Sequence, residues 1–83
     1  MEKSLNKINH KIFLELLYQL RMSSGDTQKS LAEKLDVPQS FISKVENGER
    51  RLDVIELLEF CRALNTTITD FVIALEHKID ESR

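Results

Sequence analysis

From Ile8 onward the apolar residues of this chain recur at spacings of three and four, first as Ile12, Phe13, Leu16, Leu17 and Leu20, and later as Ile68, Phe71, Val72, Leu75 and Ile79. That period lines them along one face of an α-helix, whereas a half-buried strand needs strict alternation. A sheet protein also needs turn residues, and the chain has only two glycines and one proline. The expected class is therefore all-α.

Stop signals between the periodic stretches divide the chain into five helices. The first runs from about Asn6 to Met22 and ends at Ser23-Ser24-Gly25-Asp26, where Gly25 can take a positive φ. Thr27 caps a short second helix, Gln28 to Leu35, with Leu31, Ala32 and Leu35 facing inward. Asp36-Val37-Pro38 breaks the chain, and a third helix starts at Pro38 or Gln39, points Ile42 and Val45 inward and stops near Glu46 at Asn47-Gly48. Asp53 and Glu56 resemble a capping box at the start of the fourth helix, Leu52 can staple onto Leu57, and Asn65 closes that helix after Leu64. Thr67 or Thr69 caps the fifth, and residues 80–83 are expected to fray.

Several functions are excluded by composition. At 83 residues the chain is expected to form one domain, 1–83, with one core and little room for a substrate pocket. No nucleophile stands beside a base, so no catalytic residue is assigned and the chain is not read as an enzyme. Cys61 falls on the inward stripe of the fourth helix, where a buried inert thiol is the common case. His10 and His77 lack partners at metal-ligand spacing, so neither a metal nor another cofactor is expected. No apolar run approaches the roughly 20 residues that span a bilayer, and Met1 to Asn9 lacks a secretory apolar stretch, which points to a cytoplasmic protein. The net charge of −2 is unevenly spread: residues 1–52 carry nine basic against seven acidic side chains, and residues 53–83 three against seven. Charges are screened beyond about 8 Å at physiological salt, so an acidic far side leaves a basic near side free to approach phosphate.

The informative feature is the third helix, whose outer face carries Gln39, Ser40, Ser43 and Lys44. A helix fits the major groove, about 12 Å wide, where a glutamine amide matches adenine N6 and N7 and a lysine donates to guanine O6 or N7. From Arg21 to Phe71 the sequence resembles the Cro and phage-repressor type of helix-turn-helix proteins, the XRE family. The resemblance lies in T27-Q28-K29-S30-L31-A32-E33-K34-L35, in P38-Q39-S40-F41-I42-S43-K44-V45-E46-N47-G48-E49-R50-R51, and in the helix opening L52-D53-V54-I55-E56. It implies a five-helix, lambda-repressor-like domain with the motif at the second and third helices.

Residue roles implied by the resemblance are specific. Gln39, Ser40 and Lys44 match base-facing positions. Gln28 matches a glutamine that touches a phosphate and braces Gln39. Ser43 and Asn47 match positions that meet the sugar-phosphate backbone, and Arg50 and Arg51 follow in the loop that runs beside it, where clustered cations are expected to contact phosphate; Lys29 is expected to contact the backbone as well. Arg21 and Glu46 match an internal ion pair. Two positions depart from the family pattern: Asp36 stands where most relatives have glycine, and Pro38 stands where a serine or threonine usually caps the recognition helix. Similar proteins are homodimers joined through the region after the fourth helix, which makes Phe71, Val72, Ile73, Leu75 and Ile79 the interface candidates here. The implied function is a transcriptional regulator that binds double-stranded DNA at an inverted repeat as a homodimer, with no small-molecule effector evident. The alternative is a protein-interaction module, antitoxin-like or adaptor, built on the same fold.

Overall fold

The computed structural model describes residues 3–82, with side chains from residue 7 onward. Its five helices are α1 (Lys3–Ser24), α2 (Gln28–Leu35), α3 (Gln39–Glu46), α4 (Val54–Ala63) and α5 (Ile68–Glu81), and there is no strand among the described residues. One core joins them, drawn from every helix: Leu16 and Leu17 from α1, Leu31 and Ala32 from α2, Ile42 and Val45 from α3, Phe60 and Cys61 from α4, and Phe71 from α5. Phe71 is 1% exposed and meets the Phe13 ring edge-on, with centroids 5.6 Å apart. Burying a side chain of this kind contributes about 1.5–3 kcal/mol relative to leaving it in water.

Local chemistry sets the helix ends. The Thr27 hydroxyl accepts from the Ser30 N–H at 3.0 Å while the Ser30 hydroxyl accepts from the Thr27 N–H at 2.9 Å, a reciprocal cap for α2. Asp53 and Glu56 form the same device for α4, and the Thr67 hydroxyl accepts from the Asp70 N–H at 3.0 Å to cap α5. Gly25 and Gly48 both sit at φ 80°, and Asn65 takes the left-handed region at φ 64° after α4.

Four details differ from the sequence expectation, the first being that α1 begins at Lys3 and not at about Asn6. Helix α1 continues through Ser23 and Ser24, because the Ser24 hydroxyl shares its one proton between the Arg21 carbonyl at 2.8 Å and the Asp26 carboxylate at 2.9 Å, which holds the last turn closed. Asp80 and Glu81, placed in a frayed tail, are helical; the Ser82 hydroxyl donates to the Ile79 carbonyl at 2.8 Å and closes the end, while Arg83 lies outside the described residues. Val72, counted with the inward stripe of α5, is 46% exposed.

Candidate nucleic-acid interface

Helices α2 and α3 are joined by Asp36, Val37 and Pro38. Asp36 adopts φ 58° and ψ 47°, the left-handed conformation the turn requires, and its N–H reaches the carbonyls of Ala32 and Glu33. A short polar side chain tolerates that region better than most, so aspartate substitutes for glycine at modest cost. Pro38 then enters α3 in extended geometry with no side-chain cap, although its carbonyl accepts from the Phe41 N–H at 3.0 Å. Ala32 is small and 3% exposed, which lets the two short helices pack closely.

The two faces of α3 are sharply divided. Ile42 and Val45 are 0% and 1% exposed and anchor the helix. Gln39, Ser40, Lys44 and Asn47 are exposed, and Ser43 is half-buried between them. Successive residues turn about 100° on a helix, so positions 39, 40, 43, 44 and 47 share one side. Lys29, at the start of α2, and Arg51, beyond α3, are also exposed.

Behind this face an ionic knot fixes the angle of α3. The Arg21 guanidinium donates twice to Glu46, at 2.6 and 3.1 Å, and once to the Asp26 carbonyl at 2.9 Å. The side chains of Arg21 and Glu46 are only 8% and 11% exposed, and their hydrogen bond raises the Arg21 pKa further. Gln28 Nε2 donates to the same carboxylate at 2.9 Å. The brace from Gln28 therefore runs to Glu46 rather than to Gln39, because the anionic oxygen is the stronger acceptor. Its amide oxygen and second N–H remain for other partners.

A second cluster closes the α1–α2 corner. Asp26 accepts from Lys34 Nζ at 2.8 Å, from Ser30 at 2.8 Å and from Ser24 at 2.9 Å, and these bonds, the Lys34 one foremost, lower its pKa to about 2. Sequence spacing does not single out this group; its one signal there is four polar residues, Ser24, Asp26, Ser30 and Lys34, around a helix junction.

Arg50 is bound within the protein. Its Nη1 and Nη2 donate to the Glu56 carboxylate at 3.0 and 2.8 Å, and its guanidinium lies 4.4 Å from the centroid of the Phe41 ring. The pairing lowers the Glu56 pKa and raises that of Arg50. Phe41 is half-buried beneath it and 6.3 Å from Phe60, so it packs rather than projecting outward.

Of the five interface candidates on α5, Phe71 requires correction, since at 1% exposed it is consumed by the chain's own core and offers no surface to a partner. Val72 and Ile73 are 46% and 61% exposed, while Leu75 and Ile79 are half-buried. Cys61 is fully buried, and burial pushes its thiol pKa up. His10 stacks on Phe13, and burial, with the Arg51 charge, lowers its pKa. No group of three or more potential metal ligands occurs among the described residues, and no described helix is long and apolar enough to cross a membrane.

Two short helices linked by a three-residue turn, the second with an open polar face and an anchored apolar one, define a helix-turn-helix domain. The sequence profile of the helix-turn-helix family matches residues 17–71. An XRE-family like protein from Pseudomonas syringae pv. tomato str. DC3000 is 45% identical, over 92% of this chain and 93% of that one, and superposes with a TM-score of 0.86. Two more distant structures share the fold. The clp gene regulator ClgR from Corynebacterium glutamicum is 23% identical over 89% of this chain and 79% of its own, with a TM-score of 0.76. The restriction-modification controller protein C.Esp1396I is 24% identical over 86% and 93%, with a TM-score of 0.78. The sequence matches none of the curated proteins. The chain belongs to the XRE-type helix-turn-helix family of DNA-binding transcriptional regulators.

Proposed function

We propose that the chain acts as a homodimer on an inverted-repeat operator in the cytoplasm, each protomer placing α3 in the major groove. The observation that carries this reading is the row Gln39, Ser40 and Lys44, exposed on a helix whose opposite face is fully buried and whose end is held by Arg21 and Glu46. Gln39 presents the donor and acceptor that fit adenine, Lys44 a donor that fits guanine, and Ser40 a hydroxyl that bonds either base edge or phosphate. Lys29, Ser43, Asn47 and Arg51 lie where they can meet the backbone, together with the free N–H of Gln28. Val72 and Ile73, with the adjoining Leu75 and Ile79, give α5 the apolar surface a two-fold contact needs. Two recognition helices about 34 Å apart then enter successive major grooves, and occupancy of promoter DNA alters access of polymerase.

Selection from random duplex DNA at fixed salt tests this reading. Enrichment of a two-fold symmetric site is expected; recovery of no preferred sequence contradicts it. One observation favours a second reading, a protein-interaction module: Val54 and Ile55 are 65% and 63% exposed, and Ile55 borders an apolar cleft of about 220 Å³ with Leu35, Val37 and Phe60. On that reading the protein binds a partner there and shows no salt-dependent affinity for DNA.

A further inference from the structure

We propose that Arg50 is a positioning residue for DNA binding: neutralised by Glu56, it locks the α3–α4 loop and leaves Arg51 as the loop's phosphate-binding cation. The inference rests on the DNA-binding reading above. One guanidinium ties together each segment that borders the loop. Its contact with the Phe41 ring reaches into α3, and its Nη1 donates to the Arg51 carbonyl at 2.6 Å as well as to Glu56 at 3.0 Å. Nη2 donates to the other Glu56 oxygen at 2.8 Å. Glu56 in turn accepts from the Asp53 N–H at 2.9 Å and forms the capping box of α4. Arg50 thus links the recognition helix to the first turn of α4 through the peptide that carries Arg51.

Charge bookkeeping separates the two arginines. Each phosphate neutralised by a protein cation releases counterions and steepens the fall of log K with log salt by about 0.9. A cation already paired in a forked, two-oxygen geometry has no net charge to contribute unless that pair breaks. Arg51 is exposed and has no ion-pair partner among the described residues. Removing the Arg50–Glu56 pair should therefore weaken binding through loop geometry while leaving the salt dependence intact.

The test is fluorescence anisotropy with a labelled mixed-sequence duplex of about 20 base pairs, titrated at several salt concentrations. The variants are R50Q/E56Q, R51Q and Phe41→Leu. The double variant preserves net charge and keeps a glutamine able to complete the capping box, and circular dichroism checks that it folds. Its expected Kd rises about threefold to tenfold at every salt concentration with an unchanged slope. R51Q should flatten the slope by about 0.9. Phe41→Leu keeps apolar volume but removes the ring face, and should weaken binding less, also with an unchanged slope. A wild type that binds while R50Q/E56Q loses about 0.9 of slope overturns the proposal alone, because Arg50 would then be a phosphate contact. An unchanged Kd for that variant overturns it too. Absence of salt-dependent binding by the wild type overturns the DNA-binding reading and this proposal with it.

Discussion

Glu46→Ala removes the acceptor on which three side-chain hydrogen bonds converge, two from Arg21 and one from Gln28. Arg21 would keep only its bond to the Asp26 carbonyl, and its charge would stay in a site where its side chain is 8% exposed. Breaking a buried pair in this way costs about 3–5 kcal/mol, and the 11% exposure of Glu46 argues for the lower end, about 3 kcal/mol. Whole-domain stability at this size is about 4–12 kcal/mol, so the loss is a large fraction of it. The melting temperature should fall by about 12–24 °C. Urea denaturation followed by circular dichroism measures the difference directly. Replacing both partners, as R21M/E46L, should recover most of the lost stability, because no uncompensated charge is then left inside. A loss below about 1 kcal/mol for Glu46→Ala would refute the reasoning, since it would mean the pair behaves as a solvated surface bridge.

Asp26 has its carboxyl held at about 2 against an ordinary 3.8, so its contribution is present above pH 3.8 and drains away as the pH falls through 2. The stability difference between wild type and Asp26→Asn, from denaturation at each pH, should hold steady above about pH 5 and shrink below it; a difference independent of pH contradicts this. Cys61, fully buried with its pKa raised, should resist thiol reagents at neutral pH until denaturant is added. Gln39→Ala and Lys44→Ala should each cost about 1–3 kcal/mol on the selected site and relax preference at one base position. On the proposed homodimer reading, the wild type should sediment as a dimer and Val72→Asp with Ile73→Asp as a monomer without loss of helicity, since both side chains are exposed.

The parts of this fold legible in the sequence are those governed by neighbours within one turn of chain. Thr27 and Asp53 act on amides three residues away, so their caps can be read from spacing, whereas for α5 the spacing left Thr67 and Thr69 open and the structure selects Thr67. Gly25 and Gly48, each at a helix end, announce their positive φ through residue type and position. What was not legible depends on distance through space. Phe71 and Val72 both suit the apolar pattern of α5, yet only the packing against Phe13 decides that the first is core and the second surface. Glu46 draws Gln28 from 18 residues away, and no periodicity encodes that choice. Arg50 and Glu56 are separated by a loop, so the helical spacing rule is silent on them, and Glu56 was read for its capping role only. Residue type and loop position thus pointed Arg50 towards phosphate, and only the position of Glu56 shows that its charge is matched within the chain.

The proposed function requires that the exposed side of α3 be the surface that meets DNA. Backbone amide shifts in nuclear magnetic resonance spectra, followed while the selected duplex is added, test it most directly. The largest changes are expected on residues 39–47, Lys29 and Arg51, with the buried core of α4 and α5 little affected. Changes confined to Val54, Ile55 and the cleft beside them, with Gln39 and Lys44 unmoved, would contradict it.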